Sequence, residues 1–388
     1  MMSFKTLCNI GNVVSKCETP ALLVYLDKLE ANLKKMEKIM KKYPGVHYRP
    51  HAKAHKCPML GQLQLKHGAS GLCCQTLTEA EAMVEGGIED IFISNEVVGQ
   101  SKLLRVASLA KSAKISLCVD SEGNIEDLNS AAAKFGVNLD LVVEVNVGQD
   151  RAGVEPGEDV VKLAKKVQAL PNVNFKGIQC YNGWNQHIRT VTEKKAAVDM
   201  VVEKSKRALQ ILKDNAIDCK YITGGGTGSY VFMDVDYSKN LDESGQPVSD
   251  FVQSLFVLGT VQSVMPGNRA VLDAGLKAVS LDSGVPKIYG SGDLTYFNGG
   301  DEHGIIRPSG NLMVGDQVWL IPGHCDPTVN MYNWIVGVRD QLVECLWPIT
   351  GRDCVLIEHS EVERTEYFDV YGNSSPGCTY TLLVTQII

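Results

Sequence analysis

The chain predicts an α/β architecture, a parallel barrel of the (β/α)8 TIM type followed by an antiparallel β domain. Three observations carry this. From Pro20 onward, short β-branched runs alternate with longer amphipathic stretches, and strand–helix units repeated at that spacing build parallel sheets. After about Asp250 the texture changes to short apolar runs divided by Gly, Pro, Asn and Asp turns, with few convincing helices. The length, 388 residues, is enough for two domains or for one barrel with an appended domain.

Nine runs read as strands of the first part: 21–25, 46–49, 71–75, 90–93, 115–119, 139–147, 174–181, 221–223 and 230–233. Helical periodicity fills the intervals, as in 28–42, 58–67, 79–86 and 191–215. A (β/α)8 barrel needs eight strands, so one of the nine belongs elsewhere, and spacing alone does not say which. Beyond Asp250 the runs 270–273, 317–321 and 342–347 read as antiparallel strands. No internal repeat, low-complexity tract or block of like charge interrupts the chain.

Composition excludes several classes of function. Hydrophobic content of 44% and charged content of 21% are those of an ordinary globular enzyme. A formal net charge of −7 argues against a surface for nucleic acid or anionic membrane. No apolar run reaches the roughly 18–20 residues that span a bilayer. The start, MMSFKTLCNIGN, lacks a long apolar signal region, so a cytoplasmic protein is expected, and an organelle leader removed before this numbering is compatible with the sequence. Twelve cysteines without CxxC or zinc-ribbon spacing read as free thiols in a reducing compartment. Cys73, Cys74, Cys118 and Cys180 fall in apolar strand-like runs and are expected in the core.

Three short segments carry chemistry. In VWLIPGHCDPTVNMYN, 318–333, an apolar strand runs into Pro-Gly and delivers His324 and Asp326 two residues apart. On an extended backbone that spacing turns both side chains to one side, where an imidazole nitrogen and a carboxylate oxygen can share a divalent cation. Alternation would then turn Cys325 away, as a structural thiol. The plain alternative is a strand end with a solvated Asp and a packed His. In RPHAKAHK, 49–56, lysine and histidine alternate at the end of a strand-like run, and a desolvated amine among cationic neighbours suits Schiff-base chemistry. A basic surface turn is the alternative there. In ITGGGTGS, 222–229, small residues after a strand let backbone amides close on a phosphate, without the spacing of a Walker loop or a dinucleotide fold. Together a reactive lysine, a phosphate loop and a metal pair point to pyridoxal 5'-phosphate.

The order of TPALLVYLD (19–27), RPHAKAHK, VNVGQDRAGV (145–154), GIQCYNGWNQHIR (177–189), GGGTG (224–228) and PGHCDPTVN (322–330) resembles the D-threonine aldolases, which belong with D-serine dehydratase and alanine racemase among the fold-type III pyridoxal-phosphate enzymes. The resemblance runs from Thr19 to the end of the chain. It implies a barrel of the alanine racemase kind over 19–250 and a β domain over 251–388, together with 1–18, that carries the metal pair. It also implies that 21–25 joins the β domain while 230–233 closes the barrel, and that the protein is a homodimer.

Lys53 becomes the cofactor lysine, because the family pattern puts the cofactor on the first lysine of RPHxKxHK and leaves Lys56 as its rival. Position 54 is Ala where many relatives carry Thr. His51 and His55 would shape the surroundings of that lysine. Arg151, in GQDRAG, is placed to hydrogen-bond the cofactor's phenolic oxygen and hold it ionised. By alternation Gln179 and Tyr181 share a face, and either can meet the pyridine nitrogen. Thr223, Gly225 and Gly226 are expected to hold the phosphate. GGGTG runs directly into SYVFMD, where bacterial relatives carry an insertion, so no phosphate contact is carried over beyond Gly226. His187 is the expected base for a substrate hydroxyl. DEHG, 301–304, resembles a segment that lines the site, whereas Asp273 and Asp282 read as structural.

The reaction implied is a metal-activated retro-aldol cleavage of D-β-hydroxy-α-amino acids, taking D-threonine to glycine and acetaldehyde. A carboxylate ligand favours Mg or Mn, with Zn or Co as lesser options. The rival of the same fold is a D-serine or D-3-hydroxyaspartate dehydratase, in which relatives place Cys where Asp326 stands. A non-catalytic pyridoxal-phosphate carrier would need neither the β domain nor the metal pair.

Overall fold

The structure, a computed structural model, describes residues 8–186, 188, 190–226, 251–352 and 379–384. Its first part is a parallel barrel. The strands are β2 (Val46–Pro50), β3 (Leu72–Cys74), β4 (Asp90–Glu96), β5 (Lys114–Val119), β6 (Leu139–Glu144), β7 (Val173–Cys180), β8 (Tyr221–Gly224) and β17 (Thr379–Val384). They lie in the order β2-β17-β8-β7-β6-β5-β4-β3. A parallel bridge between His51 and Cys73 joins the two ends and closes the ring.

The helices α2 (Pro58–Lys66), α3 (Leu77–Glu85), α4 (Gln100–Leu109), α5 (Glu122–Phe135), α6 (Glu158–Gln168) and α7 (Val191–Asp214) alternate with these strands. Each buries one apolar stripe, as the 3.6-residue periodicity requires; in α6 the stripe is Val160, Val161, Leu163, Ala164 and Val167. The stripes and the outward strand faces form one continuous core that includes Cys74 and Cys180. Inside the bore, Cys73, Phe92, Cys118, Val142 and Tyr221 fill a central layer. All four cysteines assigned to the core are therefore buried. The charged pairs Arg49–Asp90 at 2.8 Å and Lys176–Asp140 at 3.5 Å accompany that layer. Gly177 is where β7 and β8 come closest, since a Cβ there would stand 1.8 Å from the Tyr221 carbonyl oxygen.

The second sheet is mainly antiparallel. It comprises β1 (Ala21–Tyr25), β9 (Leu255–Met265), β10 (Arg269–Leu272), β11 (Lys287–Ile288), β12 (Thr295–Asn298), β13 (Gly304–Arg307), β14 (Gln317–Ile321), β15 (Trp334–Arg339) and β16 (Leu342–Pro348). The long strand β9 is its spine, paired with β1, β10 and β14. As the resemblance implies, β1 leaves the barrel, lying antiparallel to β9 and parallel to β15. The helix α1 (Leu26–Met40) then leads into the barrel. Residues 8–17 run against the same sheet, with Gly11 and Val14 donating to Val343 and Gln341.

Two expectations about chain organisation change. The run 230–233, assigned to close the barrel, lies outside the described residues, and β17 occupies the place between β8 and β2. A barrel over 19–250 with everything later in the β domain is therefore corrected. The chain returns to the barrel at Thr379–Val384, and 21–25 belongs to the second sheet. The reason is pairing. A closed parallel barrel must satisfy both edges of β2 and β8, and nothing in local composition says which distant apolar run will do so.

Removing residues 379–388 leaves β2 and β8 with unpaired edges. The truncated chain is expected to lose its cooperative thermal transition or to melt at least 10 °C below the full chain, checked by circular dichroism. An unchanged melting temperature would mean that β17 is dispensable.

Candidate active site

Barrel strands point their C-terminal ends at one mouth, where the loops deliver side chains together. His51 and Lys53 follow β2, Gln75 follows β3, Ser94 is on β4, Arg151 lies beyond β6, Gln179 ends β7 with Tyr181 next, and Gly226 follows β8. These eight residues line a single cavity. Six of them, His51, Lys53, Arg151, Gln179, Tyr181 and Gly226, are site residues expected from the sequence. Thr223 sits one strand over, in register with Gln179, and its buried hydroxyl has no hydrogen-bond partner. Gly225 takes a positive φ of 73°, which glycine adopts without strain. His187 lies outside the described residues.

The lysine turn has a defined protonation pattern. His51 Nδ1 accepts from the Lys53 backbone N–H at 3.3 Å, so the neutral ring carries its proton on Nε2. That proton is donated towards Gln75 Oε1 at 3.2 Å, with Ser94 Oγ 3.3 Å from the same nitrogen. Burial and then the Lys53 charge hold His51 well below the usual histidine range. His55 is also neutral, pushed down to about 4 by burial, with Nδ1 accepting from the Cys57 N–H. Lys53, two residues from each histidine along the chain, is half-buried. Lys56, its rival, is engaged elsewhere. Its Nζ donates to Asn330 Oδ1 at 2.7 Å and stands 3.6 Å from Glu79.

Glu79 is held in turn by a capping box. Thr76 Oγ1 accepts from the Glu79 N–H, and the Glu79 carboxylate accepts from the Gln75 and Thr76 amides. The sequence TLTE, 76–79, therefore fixes the backbone of Gln75 where that residue meets His51.

On the opposite wall Glu144, Gln179 and Thr223 form a row across β6, β7 and β8. All three are buried. Gln179 Oε1, Glu144 Oε2 and Thr223 Oγ1 have no hydrogen-bond partner. Buried polar atoms left open in this way mark a wall built to receive a polar ligand. The Arg151 guanidinium lies 5.6 Å from the centre of the Tyr181 ring. Burial raises the Tyr181 hydroxyl, and Arg151 offsets part of that rise.

His324 and Asp326 do come together, though not along a strand. His324 is the extended N-cap of α8 (Cys325–Val329), and Asp326 lies in its first turn, where a carboxylate meets the free amide end. His324 Nε2 and Asp326 Oδ1 are 4.0 Å apart. The helical start also corrects the expectation for Cys325. This buried thiol does not turn away; it contacts Asp326, donating to Oδ1 at 3.1 Å. Asp282, expected to be structural, accepts from His324 Nδ1 at 2.7 Å. Asp273 is structural as expected, taking the Thr19 hydroxyl and the Thr260 amide. Asp301 and Glu302 of DEHG turn to Lys277 and do not line the cavity.

Among the described residues no group of three or more His, Cys, Asp or Glu is arranged to hold a metal. The pair alone offers one nitrogen and one oxygen, a donor set suited to a hard or borderline divalent cation that keeps its other positions for water or substrate. Helix α8 packs against the turn Ala52–Ala54, and the Asp326 charge acts on both His55 and Tyr181. The pair therefore stands beside the lysine turn.

Sequence reading missed Gln75, Ser94, Glu144 and Asp282. Gln75 follows β3, Glu144 ends β6 and Ser94 lies in the last half of β4, so strand position was a usable signal. For Asp282, 42 residues before its partner, no local signal exists.

The barrel and its mouth define a protein of the alanine racemase fold. The family model for the alanine racemase N-terminal domain matches residues 24–243, and the model for a serine dehydratase domain matches 254–338. The chain belongs to the alanine racemase-like family, within the group that includes D-threonine aldolase and 3-hydroxy-D-aspartate aldolase. It is 41% identical over 360 residues to 3-hydroxy-D-aspartate aldolase of Paracoccus denitrificans, covering 87% of this chain and 93% of that one. It is also 41% identical over 362 residues to D-threonine aldolase of an Arthrobacter species, covering 88% and 94%. The crystal structure of D-threonine aldolase from Filomicrobium marinum superposes with a TM-score of 0.84 at 36% identity, covering 91% of this chain and all of that one.

Glu144 gives this site a distinctive pH dependence. Burial pushes its carboxyl from 4.5 up to about 8, with Glu96 adding to the rise and Cys118, Arg151 and Gln179 opposing it. The folded state then keeps a proton that the unfolded chain releases above about pH 4.5. This contribution is complete below that pH and is lost as pH rises through about 8. The displacement corresponds to roughly 5 kcal/mol. Glu144→Gln should remove most of the alkaline loss, measured as urea unfolding free energies at pH 6 and pH 9. A wild-type protein equally stable at both would contradict a neutral Glu144.

Proposed function

We propose that this protein is a metal-activated, pyridoxal-phosphate-dependent aldolase that cleaves D-β-hydroxy-α-amino acids to glycine and an aldehyde. The observation that carries the reading is the meeting of Lys53, Arg151, Gln179 and Tyr181 on one cavity, beside which His324 and Asp326 stand. Two relatives at 41% identity, named D-threonine aldolase and 3-hydroxy-D-aspartate aldolase, support it.

The residues present fit both groups. Lys53 supplies an amine, Gly225 and Gly226 a glycine turn with positive φ at Gly225, and Thr223 and Gln179 unpartnered buried polar atoms. In this reading Lys53 anchors the cofactor covalently, Thr223, Gly225 and Gly226 take its phosphate, and Arg151 its phenolic oxygen. Gln179 or Tyr181 meets the ring nitrogen. When bound, pyridoxal phosphate supplies an electron sink for negative charge at the substrate α-carbon. A divalent cation held by His324 and Asp326, Mg or Mn in the first instance, supplies Lewis acidity at the β-hydroxyl. Neutral His51 keeps a second positive charge away from Lys53, and its bond to the Lys53 amide fixes the turn. His187 is assigned the hydroxyl proton on the sequence alone.

The preferred aldehyde end is D-threonine in this reading. A β-carboxylate, as in 3-hydroxy-D-aspartate, is the specific alternative that the Paracoccus relative raises. We extend the reading to a cytoplasmic homodimer, supported by a cysteine pattern without CxxC or zinc-ribbon spacing and by the resemblance. Among the described residues no helix is long and apolar enough to cross a membrane.

Lys53→Ala should lose the absorbance band of lysine-bound cofactor while keeping the wild-type circular dichroism, and Lys56→Ala should keep the band. The reverse pattern would identify Lys56 as the cofactor lysine.

The activity itself is tested with purified protein, cofactor and Mn on D-threonine, 3-hydroxy-D-aspartate, D-serine and L-threonine. Acetaldehyde and glycine from D-threonine, abolished by chelation while the cofactor band persists, is the expected result. Glyoxylate release outrunning acetaldehyde would move the preference to 3-hydroxy-D-aspartate. Ammonia and pyruvate from D-serine as the dominant products would replace the aldolase with a dehydratase. Full turnover in a rigorously metal-free preparation would remove the metal from the mechanism.

A further inference from the structure

A loop 42 residues upstream of His324 holds a carboxylate aimed at the far side of its ring. Asp282 Oδ2 is 2.7 Å from His324 Nδ1, and a carboxylate can only accept, so Nδ1 carries the hydrogen. The neutral ring then presents a bare lone pair at Nε2, facing Asp326 Oδ1 across 4.0 Å. Two acceptors cannot hydrogen-bond each other, and together they would offer a divalent cation one nitrogen and one oxygen. The 2.7 Å contact on the other side is a hydrogen bond, too short to place a cation between its two atoms.

Asp282 is itself fixed. Ser280 Oγ donates to its Oδ1 at 2.5 Å, and Ser283 Oγ donates to Oδ2 at 3.2 Å. The His324 backbone is tied to the same loop, because Thr328 Oγ1 donates to the His324 carbonyl at 2.7 Å and accepts from the Ser280 amide at 3.1 Å. Four side chains thus set the ring's position and its tautomer before any ligand arrives.

We infer that Asp282 is a positioning residue for the metal centre, which fixes the orientation and tautomer of His324 by accepting a hydrogen bond from Nδ1–H, without itself binding the cation. Outer carboxylates of this kind typically change metal affinity 10–100-fold when removed. Asp282 is half exposed, which places the expected effect at the lower end of that range. This inference rests on the metal half of the proposed function.

The test is Mn binding to the cofactor-loaded full chain, followed by titration calorimetry and by the electron paramagnetic resonance of free Mn. Wild-type protein should bind one Mn per chain. Asp282→Ala should weaken that binding about tenfold or more, and Asp282→Asn, which can still accept the Nδ1–H, by less. The cofactor band and the metal-free melting temperature should stay within error of wild type for the Asn variant. Ser280→Ala, which leaves the charge but frees Asp282 to swing, should weaken Mn binding a few-fold. If wild type binds Mn and both Asp282 variants bind it equally well, Asp282 is only a loop residue and the inference fails while the metal reading stands. If wild type binds no Mn, the metal reading fails and the inference with it. A loss of stability in the Ala variant with unchanged Mn affinity would also overturn it.

Discussion

The geometry of this site depends on how the turn at Lys56 clamps the β sheet onto the barrel mouth. Lys56 takes a positive φ of 49°, a strained choice for a residue with a side chain, and three contacts hold it there. Its N–H reaches back to the Ala52 carbonyl at 2.6 Å, and its own carbonyl accepts from the Gly351 amide at 2.9 Å. Its ammonium spans Asn330 and the buried Glu79. Asn330 closes α8, the helix that His324 caps and whose first turn carries Asp326. One lysine thus joins the loop of Lys53, the cap of α3 and the helix that His324 caps. Glu79 is mostly desolvated, and burial raises its carboxyl, with Lys56 among the groups that oppose the rise. Removing the lysine would strand a buried acid, the costly half of any such pair.

Around that clamp the electrostatics are arranged to keep charge scarce. RPHAKAHK looks strongly basic on paper, yet burial keeps both histidines neutral, and each is engaged through Nδ1 by a backbone amide two residues on. A segment with three formal cations besides these rings therefore presents one half-buried amine to the cavity. Arg49 is engaged by Asp90 inside the barrel and Lys56 by Glu79 and Asn330 at the seam. The facing wall follows the same principle from the acidic side. Glu144, held neutral by burial, places no full negative charge behind Gln179 at neutral pH. A cavity so composed lets a few groups, Lys53, Arg151 and the ligand's own charges, act in a medium of low polarity where each counts for more.

Much of this was legible in the chain because its signals are local. Strand–helix alternation gave the barrel, the change of texture near 250 gave the second sheet, and strand ends placed Lys53, Arg151, Gln179 and Tyr181. What escaped is non-local. The strand that completes the barrel is Thr379–Val384, separated from β8 by more than a hundred residues, and pairing at that distance leaves no periodicity to read. His324 and Asp326 were chosen correctly as neighbours on an incorrect local conformation. An extended i, i+2 pair and a helix N-cap with its N2 residue bring side chains to similar separations, so spacing could not tell them apart. That difference in backbone brought Cys325 onto Asp326, and Asp282 came to His324 from a loop that only the fold makes adjacent.

The division of labour between the two sheets has a chemical consequence. The amine that would engage a substrate's α-nitrogen stands on the barrel, while the pair that would engage its β-oxygen stands on the second sheet. Between those atoms lies the carbon–carbon bond that an aldol cleavage breaks. Efficient cleavage requires that bond to be held in a fixed orientation, and misplacement by about an ångström can cost a hundredfold. Here the orientation would be set by the seam, by α8 against the turn Ala52–Ala54 and by Lys56 with Gly351 and Asn330. Neither sheet alone could fix it. In the proposed reading, loosening the seam should therefore leave both Lys53 and the His324–Asp326 pair intact while degrading cleavage, because each would still engage its own end of the substrate without aligning the bond between them.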